Sequence, residues 1–135
     1  MGAWAHGSFE NDDALDWVGD LEGAEDAEPI AEAFGAVLEA EDDIEAPEAS
    51  AALAAAEVVA ALLGCPMAEL PDEVTAWVAG RRPPKPGLVK KAERVVRRIL
   101  KGSELKELWA ESENSAKWQA AVEDLLVRLA PKPAE

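Results

Sequence analysis

The segment from position 47 to 63 constrains the fold more than any other part of the chain. Pro47 and Gly64 bound it, and it consists mainly of alanine, with leucine and valine as its larger side chains. Alanine has the highest helix propensity, proline suits a first helical turn and glycine often follows a last one. Because many small side chains let neighbouring helices approach closely, we expect this helix to be central and buried.

Apolar residues at helical spacing, together with start and stop signals, predict further helices on both sides of this segment. Ile30, Phe34, Val37 and Leu38, for example, form one apolar stripe. The expected helices cover about 12–21, 29–41, 47–63, 70–80, 88–101, a sixth segment capped by Ser103, and a seventh that carries Trp118 and ends at Pro131. No segment alternates with the period of a strand. We therefore predict an all-α fold, a single compact domain of about six or seven helices spanning 1–135.

The segment 81–87 contains three prolines, Pro83, Pro84 and Pro86. Such proline density predicts a semi-rigid, extended spacer rather than a helix, and it marks a possible subdomain boundary. Four tryptophans lie on predicted apolar stripes, which indicates that they pack in the core: Trp17, Trp77, Trp109 and Trp118.

The N-terminal residues form a distinctive structural motif, made by Trp4, Gly7, Phe9, Asn11 and Trp17. We predict a non-helical N-terminal arm that Trp4 and Phe9 tie to the body. Asn11 is the expected N-cap of the first helix, since its side chain can accept a hydrogen bond from a free backbone N–H there.

Several of these residues carry a resemblance to a known family. Met1 to Trp4, Gly7, Phe9, Asn11-Asp12, Ala14 and Asp16-Trp17 resemble the start of an uncharacterised bacterial family, a domain of unknown function, whose members open Met-Gly-Ala-Trp-Gly-x-Gly-x-Phe-x-Asn-Asp-x-Ala-x-Asp-Trp. The chain departs from that pattern at Ala5, where the family usually has glycine. The resemblance extends more weakly to Trp109 and the helix of Trp118. It implies a bacterial origin and an association with toxin and immunity genes. It does not indicate any particular activity.

Charge is distributed very unevenly along the chain, whose net charge is −15. Residues 1–80 contain 20 acidic and no basic residues, whereas residues 81–135 contain 8 acidic and 13 basic ones. Nine of the bases lie within 81–101, beside the single acid Glu93. This asymmetry is the strongest indication of function in the sequence, because charge blocks of this kind are typical of interaction surfaces.

Enzyme and metal chemistry find little support in the sequence. The single histidine, His6, has no sequence neighbours with metal-ligand spacing, and neither Ser8 nor the single cysteine, Cys65, is linked to it as a nucleophile. No glycine-rich phosphate loop follows a strand. We therefore expect no catalytic residues, no metal and no cofactor. There is no apolar run of membrane-spanning length and no secretory signal, so the cytoplasm is the expected compartment.

The sequence leaves two functional hypotheses, neither of which specifies an oligomeric state. The first is a non-enzymatic protein-binding module, immunity-like in one concrete form, whose acidic N-terminal half engages a basic protein partner. Its candidate residues are Asp12, Asp13, Asp16 and Asp20, followed by Asp42 and Asp43. The alternative is binding of nucleic acid or another anionic ligand by the basic face of helix 88–101, through Lys90, Arg94, Arg97, Arg98 and Lys101. A structural interpretation of the same basic face also stands, in which it lies against or near the acidic helices and offsets their mutual repulsion.

Overall fold

The computed structural model describes residues 12–40, 44–64, 70–81, 83–111 and 115–129. These residues form seven α-helices and no strand, which confirms the all-α prediction for the described chain. The helices are α1 Asp12–Glu22, α2 Glu28–Leu38, α3 Ala46–Leu62, α4 Asp72–Val78, α5 Pro86–Lys101, α6 Glu104–Ala110 and α7 Ser115–Leu129. The predicted arm with Trp4, Gly7, Phe9 and Asn11 lies outside the described residues, as do His6 and Cys65.

Helix α3 is the centre of the structure, as its alanine content predicts. It packs against each of the other six helices. Every residue from Ala52 to Ala61 is buried, on all faces of the helix. Two groups of helices surround it. In the first, α1 contacts α2 and α4, and in the second, α5, α6 and α7 contact one another, while α2 meets α5 between the groups.

One hydrophobic core joins residues from all seven helices. Its largest fully buried side chains include Leu21 of α1, Phe34 of α2, Leu53 of α3, Ile99 of α5 and Leu125 of α7. The four tryptophans expected in the core are all less than 10% exposed there: Trp17, Trp77, Trp109 and Trp118. Within the described residues, no helix is both long enough and apolar enough to cross a membrane.

Three helices have boundaries that differ from the sequence prediction, and of these α4 covers Asp72–Val78 rather than 70–80. Helix α5 begins at Pro86, so residues 86 and 87 belong to the helix rather than to the spacer. Proline is tolerated in the first turn because the backbone N–H that it lacks would have no partner within the helix. Helix α2 ends at Leu38 rather than near position 41. Its last carbonyl groups accept hydrogen bonds from the Arg98 side chain, which gives those orphaned acceptors a partner outside the helix.

Other helix ends follow the sequence signals. Gly64 and Gly80 follow α3 and α4 with φ angles of 89° and 78°, a left-handed conformation that glycine adopts without strain. The Ser103 hydroxyl accepts from the backbone N–H of Lys106, 3.0 Å away, which confirms Ser103 as the cap of α6. Glu104 joins α6 to α3, since its Oε1 accepts from the Ala46 backbone N–H at 2.8 Å.

Overpacking at α3 tests its central position. Ala55 is fully buried, so Ala55→Leu should lower the free energy of unfolding by about 1–3 kcal/mol, as extra methyl groups force neighbouring side chains off their rotamers. Chemical denaturation measures the loss. Ala120→Leu on the exposed face of α7 is the matched control and should change stability by less than about 0.5 kcal/mol. Equal stability of both variants would contradict the close packing around α3.

Candidate functional site: an acidic groove

An exposed acidic stripe runs along α1. Asp13, Asp16 and Asp20 are spaced three and four residues apart, which places them on one face of the helix. All three are exposed. Asp12 is the first residue of α1, but its side chain is not among the parts that the structure describes, and Asp42 and Asp43 lie outside the described residues. Of the six acids predicted to bind a partner, Asp13, Asp16 and Asp20 therefore lie together on α1.

The C-terminal end of this stripe opens into a groove between α1, α2 and the first turns of α3. The groove has a volume of about 680 Å³, and we call it the acidic groove. Three carboxylates line it, one from each helix: Asp20, Glu32 and Glu48. Its remaining walls come mostly from small or rigid residues, which leave the space between the helices open: Gly19, Gly23, Pro29, Ala33, Ala36, Pro47 and Ala51.

Trp17 contributes to the base of the acidic groove and fixes one of its walls. The side chain is 7% exposed, and its indole N–H donates to the Pro29 carbonyl oxygen at 3.2 Å. This bond connects α1 to the first turn of α2. The motif residue Trp17 therefore holds in register the two helices that carry Asp20 and Glu32.

The acidic groove has a strongly negative character. Within the described part of the chain, no basic residue lines it and none of its three carboxylates forms an ion pair. The Glu48 Oε2 atom is buried and accepts no hydrogen bond from the described residues. Because this oxygen is enclosed, the negative charge that a ligand meets comes from the exposed carboxylates of Asp20 and Glu32. The groove is thus chemically suited to a lysine or arginine side chain.

Further acids extend this character around the turn between α1 and α2. A smaller depression of about 410 Å³ is lined by Glu25, Asp26, Glu28 and Glu32, with Pro29 and Ala24. Asp26 also has a structural role, since its Oδ1 accepts from the Glu28 backbone N–H at 3.0 Å. Glu32 and Pro29 line both spaces, so the depression and the acidic groove adjoin.

The basic face of α5 divides into two parts. Lys90, Arg94, Arg97 and Lys101 are exposed, and Arg97 pairs with Glu93 at 3.6 Å. Arg98, by contrast, points to the C-terminal end of α2. Its guanidinium donates to the Val37 carbonyl at 2.6 Å, the Leu38 carbonyl at 3.0 Å and the Ala40 carbonyl. This cation stabilises the negative end of a helix dipole, and three of its N–H donors are used within the fold.

Removing the Arg98 side chain should therefore destabilise the fold. We expect Arg98→Ala to cost about 1.5–3 kcal/mol, the range for hydrogen bonds to a charged group. Arg94→Ala, on the exposed part of the same helix, is the control and should cost less than about 0.5 kcal/mol. Thermal unfolding of both variants measures the difference. Equal melting temperatures would show that the contacts of Arg98 contribute nothing to stability.

The described residues contain no group of three or more His, Cys, Asp or Glu placed to hold a metal ion. The fold and the site together define an α-helical protein with an acidic groove between its first three helices. The chain belongs to the family described as Domain of unknown function (DUF4259), whose family model matches residues 2–121. Searches of curated proteins and of solved structures find no match.

Proposed function

We propose that this chain is a non-enzymatic protein-binding module that engages a basic segment of a partner protein in the acidic groove. The observation that carries the proposal is a set of three carboxylates around one concave space, Asp20, Glu32 and Glu48, none of which has a cationic partner among the described residues. Asp13 and Asp16 extend the negative surface along α1 and would steer a basic partner toward it.

An immunity-like role is one concrete form of this function. Enzymes that act on nucleic acids bind the phosphate backbone with lysine and arginine side chains. An acidic protein that occupies such a basic surface excludes the nucleic acid by competing for the same cations. We place the encounter in the cytoplasm.

Affinity capture from a cell lysate tests the proposal with three forms of the protein. The wild type is compared with a groove variant, Asp20→Asn/Glu32→Gln/Glu48→Gln. The control variant, Glu73→Gln/Glu107→Gln/Glu111→Gln, removes the same number of exposed acids away from the groove. Captures at about 50 mM and about 500 mM salt differ several-fold in electrostatic screening length.

We expect one basic protein to be retained at low salt by the wild type and by the control variant, and to be lost from the groove variant. Equal retention by all three forms would assign the binding to some other surface. If the wild type instead retains RNA or DNA, and Lys90→Ala/Arg94→Ala abolishes that retention, the binding site is the exposed basic face of α5 and the proposal is contradicted. The absence of any retained macromolecule at low salt would also overturn it.

A further inference from the structure

A second groove lies on the other side of the turn that joins α1 to α2. Its volume is about 990 Å³, and it is bounded by that turn, α2, the end of α4 and the start of α5. Leu62, Trp77, Pro83, Pro84 and Leu88 give it a largely apolar surface, and we call it the apolar groove. Spaces of this size hold a few apolar side chains of a bound ligand.

The base of the apolar groove is rigidly held. The Trp77 indole N–H donates to the Ala24 carbonyl oxygen at 3.1 Å. The Arg81 guanidinium lies over the Trp77 ring at 3.7 Å and donates to the carbonyl groups of Trp77, at 2.6 Å, and Glu25, at 2.8 Å. Trp77 is therefore fixed between α1 and Arg81. Because the Trp77 ring is 8% exposed and covered by Arg81, the apolar surface open to a ligand comes from the proline and leucine side chains that line the groove.

The two walls of the apolar groove have opposite charge. Asp26 and Glu28 lie on the wall formed by α2 and its preceding turn, whereas Lys85 and Lys91 lie on the wall formed by α5. Neither lysine has an ion pair with any residue of the described ranges. A basic side chain is consequently attracted to the α2 wall and repelled by the α5 wall.

The apolar groove is continuous with the acidic surface. Asp26 and Glu28 line both the apolar groove and the depression around the α1–α2 turn. Pro29 and Glu32 line both that depression and the acidic groove. The three spaces thus adjoin one another around the N-terminus of α2, and we call them together the furrow.

We propose that this furrow binds a single extended segment in which two or more lysine or arginine residues lie next to a large aliphatic residue. The basic side chains occupy the acidic groove and the depression, and the aliphatic side chain packs against Pro84 and Leu88. Repulsion from Lys85 and Lys91 keeps the basic part out of the apolar groove and so sets the direction of the segment. This inference rests on the proposed function and specifies the sequence character of the partner.

Fluorescence anisotropy with synthetic peptides tests this specificity. The probes are labelled peptides of about ten residues, roughly 33 Å long when extended, with three arginines beside a leucine pair. Both orders of the two parts are made. Two companion peptides replace the leucines or the arginines by serine. Binding is measured at about 50 and 300 mM salt, where screening of exposed charges differs strongly.

We expect the arginine–leucine peptide, in one of its two orders, to bind about tenfold more tightly than its leucine-to-serine companion, because partial burial of the leucine pair is worth about that factor. Ala31 is exposed and lines the apolar groove, so Ala31→Trp should fill the groove and abolish this difference. Ala31→Leu is the milder second variant. Ala120→Trp, on the exposed face of α7, should leave the difference intact.

The outcomes separate this inference from the proposed function. Equal, salt-dependent binding of the leucine and serine peptides would overturn the inference and leave the acidic groove as the binding site. Failure of every arginine peptide to bind at low salt would overturn both. Tight binding of the leucine peptide without arginines would show that the apolar groove acts alone, which also contradicts a shared furrow.

Discussion

Arg128→Met should lower the free energy of unfolding by about 3–5 kcal/mol, because it removes the cation that forms an ion pair with a buried carboxylate. That carboxylate is Glu57, which is 2% exposed in the middle of the alanine-rich helix α3. Arg128 donates to both of its oxygens, at 2.7 Å to Oε1 and 3.1 Å to Oε2. Its Nε also donates to Asp124 at 2.8 Å. Denaturant unfolding of wild type and variant measures the loss.

The Glu57→Leu/Arg128→Met double variant distinguishes loss of the ion pair from loss of packing. Replacing both partners by apolar residues removes the buried charge together with its counterion. The stability of the double variant should therefore be close to that of the wild type or above it. Arg97→Met, which breaks the exposed pair with Glu93, should cost less than about 1 kcal/mol. If Arg128→Met costs no more than Arg97→Met, the pair does not compensate the burial of Glu57.

The same contacts govern the titration of Arg128. Burial alone would lower the pKa of this guanidinium, but the hydrogen bonds and charges of Glu57 and Asp124 outweigh burial and raise the pKa above its ordinary value. A base whose pKa rises on folding stabilises the native state at every pH below its unfolded pKa. Arg128 is therefore charged throughout the physiological range and introduces no pH dependence there.

Trp118→Ala is the second variant with a large expected effect, a loss of about 3–5 kcal/mol. Trp118 is 4% exposed on α7 and stacks on Trp109 of α6, with ring centroids 6.4 Å apart and planes inclined by 10°. Truncation removes the apolar surface that joins these two helices and leaves a cavity between them. Denaturant unfolding checks the magnitude.

Trp118→Phe is the control for Trp118→Ala, because it keeps an aromatic ring in the same space. We expect it to retain most of the stability that Trp118→Ala loses. Equal losses in both variants would indicate that the indole N–H or its exact shape dominates, rather than the filled volume. Loss of less than about 1 kcal/mol in Trp118→Ala would contradict the packing of α7 on α6.

Local patterns in the sequence predicted the helical class, the central position of α3 and the burial of four tryptophans. These features depend on periodicity and composition within single segments, which the sequence contains directly. The contacts of Glu57 and Arg98 were not predicted. Both depend on which helices meet: Glu57 pairs with a residue of α7, and Arg98 binds the end of α2.

The acidic groove was predicted in part. Of its three carboxylates, the charge asymmetry and the α1 stripe identified Asp20 as a candidate, whereas Glu32 and Glu48 were missed. Glu32 lies off the apolar stripe of Ile30 and Phe34, so its exposure was readable from the sequence. Its position beside Asp20 was not, because that depends on how α2 packs against α1. Only the packing of three helices shows that their carboxylates line one space.

The rate at which the captured basic protein associates tests the central claim most directly. Stopped-flow mixing at low and high salt gives the association rate constants of the wild type, the groove variant and the control variant. We predict that the groove variant associates at least tenfold more slowly than both other forms at about 50 mM salt, and that salt reduces this difference. Equal association rate constants for the three forms at low salt would contradict the acidic groove as the site of encounter.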